Sequence, residues 1–167
     1  MQNSIWRFMA GTALSLVTLA SQAGTVYKTV SLEASGVLQE AAGPAARCPT
    51  RFGGSITGFG DSALIGRHAF VATDCIKASY PIFESSRGQL ILLTTAGDQI
   101  FVTYSGQMVP TGDGAKYVFT GGTFQIVGGT GLYKNASGGG TLDGAEDMAT
   151  GQGTMKMTGR ISYFAPR

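Results

Sequence analysis

Residues 121–142 read GGTFQIVGGTGLYKNASGGGTL, and no other stretch of the sequence is as informative about the fold. Its first part, through Val127, has the β-branched and aromatic composition of a strand. Gly128, Gly129 and Gly131 follow, where a tight turn needs backbone conformations that glycine adopts most easily. After a short irregular patch, residues 137–142 form a second glycine-rich segment. The stretch therefore predicts two neighbouring antiparallel strands joined at a glycine corner.

The same glycines do not form a phosphate-binding loop. A P-loop ends in lysine followed by serine or threonine and opens a helix, and this stretch has neither feature. A dinucleotide site would need a strand–helix–strand unit, which the surrounding pattern does not contain. We therefore interpret the glycines as structural turn residues.

Composition extends the β prediction to the rest of the chain. Glycine supplies 26 of 167 residues, roughly twice its usual share of ~7%. Charged residues make up 13%, roughly half of their usual share of ~25%. Apolar, β-branched segments cut at short intervals by glycine are typical of an all-β domain. The net charge of +2 gives no electrostatic basis for binding nucleic acid.

The pattern of segments predicts about eight short strands with no helix between them. Eight such strands close into an antiparallel β-barrel whose interior is filled or holds one small ligand; a β-sandwich is the alternative. We interpret residues 35–51 as a long loop, 80–83 as an edge or turn, and 143–150 as an acidic loop. Glycines inside the strands are expected at barrel bends. These are Gly58, Gly66, Gly106 and Gly159. The predicted strands cover residues 26–32, 53–60, 63–76, 90–95, 99–104, 115–120, the opening stretch with its partner 137–142, and 153–164.

Residues 90–104 form the clearest predicted hairpin, with its turn at 96–98. The first strand is apolar on both faces, with Leu90 and Leu92 opposite Ile91 and Leu93. One face can fill a barrel, but the other needs a partner sheet or a second subunit. This pattern predicts a homo-oligomer.

The first 23 residues have the three parts of a secretory signal peptide. Arg7 precedes an apolar run, and small residues stand before a cleavage point between Ala23 and Gly24. The apolar run is shorter than the ~20 residues of a membrane-spanning helix. We therefore expect residues 24–167 to form one periplasmic or secreted domain that is not held in a membrane.

The cysteines agree with an oxidising compartment. Cys48 and Cys75 are the two cysteines of the chain, and an even count in a secreted domain predicts a disulfide. Two buried free thiols are the alternative. Two cysteines and one distant histidine do not match the ligand spacing of a zinc site, so no metal site is predicted.

No residue pattern indicates a catalytic group or a cofactor. The single histidine, His68, lies on an apolar face, and no serine has the context of a nucleophile elbow. Arg67, His68, Tyr104 and Tyr133 are the candidate ligand contacts, with core packing as the simpler role for the aromatic residues.

Three groups of residues carry a resemblance to a known family. They are Ile65-Gly66-Arg67, the turn TTAGD at 94–98, and GGTGLY at 128–133 followed by Ala136 and Gly138. From about Gly54 to Gly159 the chain resembles a bacterial branch of the allene oxide cyclase and dirigent barrel group. The resemblance implies a calycin-like eight-stranded barrel, often trimeric. The group includes cyclases of oxygenated fatty acids, proteins that steer phenolic radical coupling, and spirotetronate-forming cyclases.

Two functional hypotheses follow. The first is a secreted barrel without catalysis that binds an apolar small molecule or has a structural role. The alternative is a cofactor-independent cyclase or isomerase acting on an apolar molecule inside the barrel. A cavity of ~300 Å³ or more with a few convergent polar groups favours ligand or substrate binding, and a solidly packed interior excludes it.

Overall fold

The computed structural model describes residues 25–166, apart from the side chains of the two terminal residues. The predicted signal peptide and its cleavage point lie outside this range. Eight strands and one short 3₁₀ turn, η1 (Gly131–Tyr133), make up the described chain. The strands are β1 (Thr25–Pro44), β2 (Phe52–Asp61), β3 (His68–Ser79), β4 (Ile82–Thr94), β5 (Gln99–Pro110), β6 (Lys116–Gly129), β7 (Ser137–Asp147) and β8 (Gln152–Pro166).

The strands form a closed barrel in simple sequential order. Each strand pairs antiparallel with the next, and β8 pairs back with β1. The predicted all-β, eight-stranded antiparallel barrel is therefore confirmed, and the sandwich alternative is wrong. The opening stretch lies where the sequence predicts, with β6, the glycine corner and η1 leading into β7.

The long loop predicted at residues 35–51 is wrong, because β1 continues to Pro44. Its second half pairs with β2 on one side, and residues 35–39 also pair with β8 on the other. The acidic loop predicted at 143–150 is also shortened, since β7 runs to Asp147. Backbone pairing on both sides holds these segments as strands although their side chains are small or charged. Of residues 80–83, Tyr80 and Pro81 form the turn and Ile82 begins β4.

The hydrophobic core lies inside the barrel. Its most buried large side chains come from six strands and point inward: Leu32, Phe70, Leu92, Ile100, Phe124, Met157 and Ile161. Because a closed ring has no free edge, the interior volume is fixed by strand number and tilt. Packing inside it is therefore a matter of matching large and small residues across the barrel.

Two of the glycines predicted at bends have a different role, which is to make room for aromatic rings. A Cβ atom on Gly58 would collide with the Phe70 ring, and one on Gly106 would collide with the Phe119 ring. Gly66 is not in a strand but in the turn before β3, with φ of 69°. Gly159 lies directly against the backbone of β7.

The predicted disulfide is confirmed. Cys48 and Cys75 are bonded, with 5.3 Å between their Cα atoms. The bond ties the turn between β1 and β2 to β3. Among the described residues, no helix is long and apolar enough to cross a membrane.

We expect Gly58→Ala to destabilise the barrel by about 1–3 kcal/mol, the usual cost of overpacking a filled core. The added methyl group would overlap both the Phe70 ring and the carbonyl oxygen of Val37. Urea unfolding with the disulfide intact measures the change.

Gly43→Ala is the matched control, because a Cβ there would have no neighbour within 4 Å. Its effect should stay within about 0.5 kcal/mol. Equal losses of stability in the two variants would show that backbone freedom, not space for Phe70, explains the glycine at position 58.

Candidate ligand-binding cavity

A cavity of about 400 Å³ opens at one end of the barrel. It lies at the end of the barrel where β1, β3, β5 and β7 end and where β2, β4, β6 and β8 begin. Most of its wall is apolar, which suits an organic molecule. Its larger apolar residues are Leu38, Phe52, Ile56, Ile76, Phe83, Leu90, Met108, Phe119, Leu142, Met148 and Met155.

Asp74 and Ser85 form a polar patch on this wall. Asp74 is buried, and its carboxylate accepts hydrogen bonds from the Gly54 backbone N–H, at 3.0 Å, and from the Ser85 hydroxyl, at short range. Asp74 therefore already accepts two hydrogen bonds from the protein itself.

A β-bulge in β4 brings Ser85 to this patch. Between Ser85 and Gly88, β4 has one residue more than β3 and β5 have opposite it, and Arg87 takes a φ of 52°. An extra residue changes which side chains face inward along a strand. After the bulge, Gly88 and Leu90 are buried, and before it Ser85 is buried. Without the bulge, a neighbour of Ser85 would face Asp74.

Arg47 and the disulfide support Asp74 from behind. The Arg47 guanidinium donates hydrogen bonds to the backbone oxygens of Asp74, at 2.6 Å, and Gly54, at 3.3 Å. Cys75, next to Asp74, is bonded to Cys48 in the same turn as Arg47. These contacts hold the Asp74 backbone in place, and Arg47 itself does not line the cavity.

Glu40 of β1 and Glu146 of β7 face each other across the cavity mouth. Burial raises the pKa of Glu40 to about 9, helped by a hydrogen bond with Glu146 and by the charges of Glu146 and Asp74. Burial also raises the pKa of Glu146, whereas its hydrogen bond with Glu40 acts in the opposite direction. Glu40 therefore keeps its proton near neutral pH and donates it to Glu146.

Tyr104 contributes a hydroxyl without a hydrogen-bond partner. Its side chain is 8% exposed, lines the cavity and packs its ring over Gly88. Within residues 25–166, no group makes a hydrogen bond of normal geometry to the hydroxyl, although Asp74 is near. Burial, and then the charges of Asp74 and Glu40, raise the pKa of Tyr104. A buried phenol left unpaired costs free energy, so this position suits a polar atom of a ligand.

Of the four candidate ligand contacts predicted from sequence, the structure places only Tyr104 in this cavity. Arg67 is exposed in the turn before β3. His68 begins β3 and is buried, with Nδ1 at 3.0 Å from the Gly66 carbonyl oxygen and Nε2 unpaired. Tyr133 lies in η1 and packs against Tyr163, with 5.3 Å between the ring centres. These three lie at the opposite end of the barrel.

The turn glycines also lie at that opposite end. Gly128 and Gly131 have φ values of 138° and 51°, and Gly129 leaves no space for a Cβ beside the Gln99 carbonyl oxygen. They shape the corner between β6 and β7 and do not contact the cavity.

Sequence reasoning missed the acidic residues of the cavity. The inward position of Asp74 could have been predicted from the sequence, because Asp74 continues the alternation that places Phe70 and Ala72 inside. Glu40 and Glu146 could not be placed, since both fell in segments predicted as loops. Among the described residues, no three acidic, histidine or cysteine side chains are arranged to hold a metal ion.

No protein-family model matches this sequence, and no curated protein matches it. Among solved structures, the chain is similar to a pterocarpan synthase dirigent protein. The TM-score is 0.47 with 12% sequence identity, covering 92% of this chain and 98% of that chain. The barrel fold follows from the closed ring of strands, independently of this similarity.

Proposed function

We propose that this protein is a small-molecule-binding β-barrel whose ligand lies in the cavity at the Glu40 end. The cavity of about 400 Å³ carries this proposal, because ligand sites in proteins typically measure ~300–1,000 Å³ and combine apolar walls with a few polar groups. A barrel with a solely structural role would gain stability by filling this volume.

The mostly apolar wall with its few polar groups favours an amphipathic ligand. Its apolar body would pack against residues such as Ile56, Leu90 and Phe119. Its polar group would reach the Tyr104 hydroxyl and the Glu40–Glu146 pair. Apolar burial supplies most of the affinity in such a site, and the few polar contacts fix orientation.

Catalysis is the second candidate function. The Tyr104 phenol is a hydrogen-bond donor without a partner in the described chain, and such a donor can polarise a carbonyl group during isomerisation or cyclisation. Proton abstraction would also need a free base. Asp74 accepts two hydrogen bonds and Glu146 accepts the Glu40 proton, so binding is the better-supported function.

We also propose that the protein acts in an oxidising compartment, the periplasm or outside the cell. The Cys48–Cys75 disulfide supports this location, because disulfides persist mainly in oxidising compartments. The signal-peptide pattern of the first 23 residues agrees with it.

A homo-oligomer, with a trimer as the expected state, is a further part of the proposal. Apolar residues form a row on the outer surface, where Leu93 pairs with Ala69 and Ala69 with Phe59. Val71 and Ile91 form a second, adjacent row. The patch carries no charge, so it fits a partner surface that is equally apolar, and a second copy of the chain supplies one.

We expect the purified protein to bind the neutral fluorophore N-phenyl-1-naphthylamine saturably, with increased emission. Ala42→Trp should abolish this binding, because Ala42 stands at the cavity mouth and a large side chain there would block entry. A fluorescence titration measures both.

Ala41→Trp is the matched control, since Ala41 faces outward on the same strand and does not line the cavity. It should bind the fluorophore as the unmodified protein does. Absence of saturable binding in the unmodified protein, or equal binding by Ala42→Trp, would contradict the proposed function.

Native mass spectrometry of the purified protein should show an oligomer, and Ile91→Lys should shift it to the monomer because a buried unpaired charge opposes association. Thr158→Lys on the exposed face of β8 adds the same charge away from the patch and should leave the oligomer intact. A monomer in the unmodified protein would refute this part of the proposal.

A further inference from the structure

The charged groups that line the cavity all have the same sign. Three carboxyl side chains face it, namely those of Glu40, Asp74 and Glu146, and the lining contains no lysine, arginine or histidine. Carboxyl groups in an apolar cavity produce a strongly negative potential, since the low local dielectric weakens screening.

No protein cation compensates this potential from within the cavity. The three ion pairs in the described part of the chain join Lys77 to Glu84, Lys116 to Asp113 and Lys156 to Glu33, all at exposed positions. Arg47 is directed at the backbone oxygens behind Asp74. From there its charge opposes the raised pKa of Tyr104. Among the groups that line the cavity, compensation at neutral pH comes from the proton that Glu40 holds.

Tyr104 adds an independent observation. Its buried hydroxyl lines the cavity, lacks a normal hydrogen bond within the described chain and lies near Asp74. A phenol oxygen can accept a hydrogen bond from a donor. Together with the carboxylates, it makes the polar end of the cavity rich in acceptors.

We propose that the cavity binds an organic cation, an alkylammonium group on an apolar body, whose nitrogen lies between Glu40 and Glu146. This inference rests on the proposed binding function and specifies its ligand class. An ammonium group brings three donors and a positive charge, which matches an acceptor-rich, negative site. The apolar body would pack against the aromatic wall, where Phe52, Phe83 and Phe119 also favour a cation.

Binding of such a cation replaces the proton on Glu40. The groups facing Glu40 are Glu146 from β7, Asp74 from β3 and Tyr104 from β5, while β2 contributes only the backbone at Gly54. On β8, Lys156 points outward to Glu33, and Asp143 is exposed at the rim. Every ionisable group facing Glu40 is thus acidic. Since a proton must leave below the pKa of Glu40, raising the pH towards that value strengthens cation binding.

The test compares three probes of one shape by isothermal titration calorimetry: 3-phenylpropylamine, 3-phenylpropanol and 3-phenylpropanoate. The amine should bind about tenfold or more tightly than the alcohol, and the acid should not bind measurably. The Kd of the amine should fall towards about tenfold per pH unit between about pH 6 and about pH 8.5, where an alkylammonium stays charged. Titrations in buffers of different ionisation enthalpy should show proton release.

Glu40→Gln tests the assigned residue, because it preserves shape and hydrogen bonding but cannot titrate. It should weaken amine binding about tenfold and remove its pH dependence. Glu33→Gln makes the same substitution on the outer face of the same strand and should change neither the affinity for the amine nor its pH dependence.

The outcomes distinguish failure of the cation inference from failure of the binding function. Equal affinity for amine and alcohol would overturn the cation inference while leaving the binding function intact. Binding of none of the probes would overturn both. Amine binding without proton release, or unchanged in Glu40→Gln, would overturn the position of the ammonium between Glu40 and Glu146. Proton release and the amine–alcohol comparison are measured on the unmodified protein, so the test does not depend on whether a variant folds.

Discussion

Closure of the strand ring determines how the interior of this protein can be filled. Because β8 pairs with β1, the interior volume is fixed, and each inward side chain limits the size of those opposite it. Phe70 occupies the space that Gly58 leaves open, and Phe119 occupies the space at Gly106. At the Glu40 end the inward side chains do not fill the interior, and the same closure leaves a cavity.

Local irregularities in the strands decide which side chains reach that cavity. The bulge at Arg87 turns Ser85 inward, where it binds Asp74. A second irregularity lies in β6, where Gly121 has a φ of 60°. It turns the Phe119 side chain towards the interior of the barrel. Each bulge shifts the alternation by one residue, so polar and aromatic groups from distant strands meet at one end. The disulfide and Arg47 then hold the Asp74 backbone from outside.

The sequence was sufficient for the fold because its strongest signals are local. Glycine at positions 128 and 131, the hairpin of residues 90–104 and the cysteine count all report on nearby backbone or on a single bond. The site could not be found in the same way. Glu40 and Glu146 look like loop residues until backbone pairing extends β1 and β7 past their apolar parts. Ser85 faces inward only because of a bulge that no single residue type encodes.

At the mouth of the barrel, the carboxyl groups of Glu40 and Glu146 share one proton in an apolar setting. Carbon-13 NMR titration of the glutamate side-chain carboxyls measures this directly, with Glu40→Gln used to assign the signal. The structure predicts a Glu40 transition near pH 9, far above the ordinary value of 4.5. A Glu40 transition near that ordinary value would show that the mouth is well hydrated, and would contradict this account of the cavity.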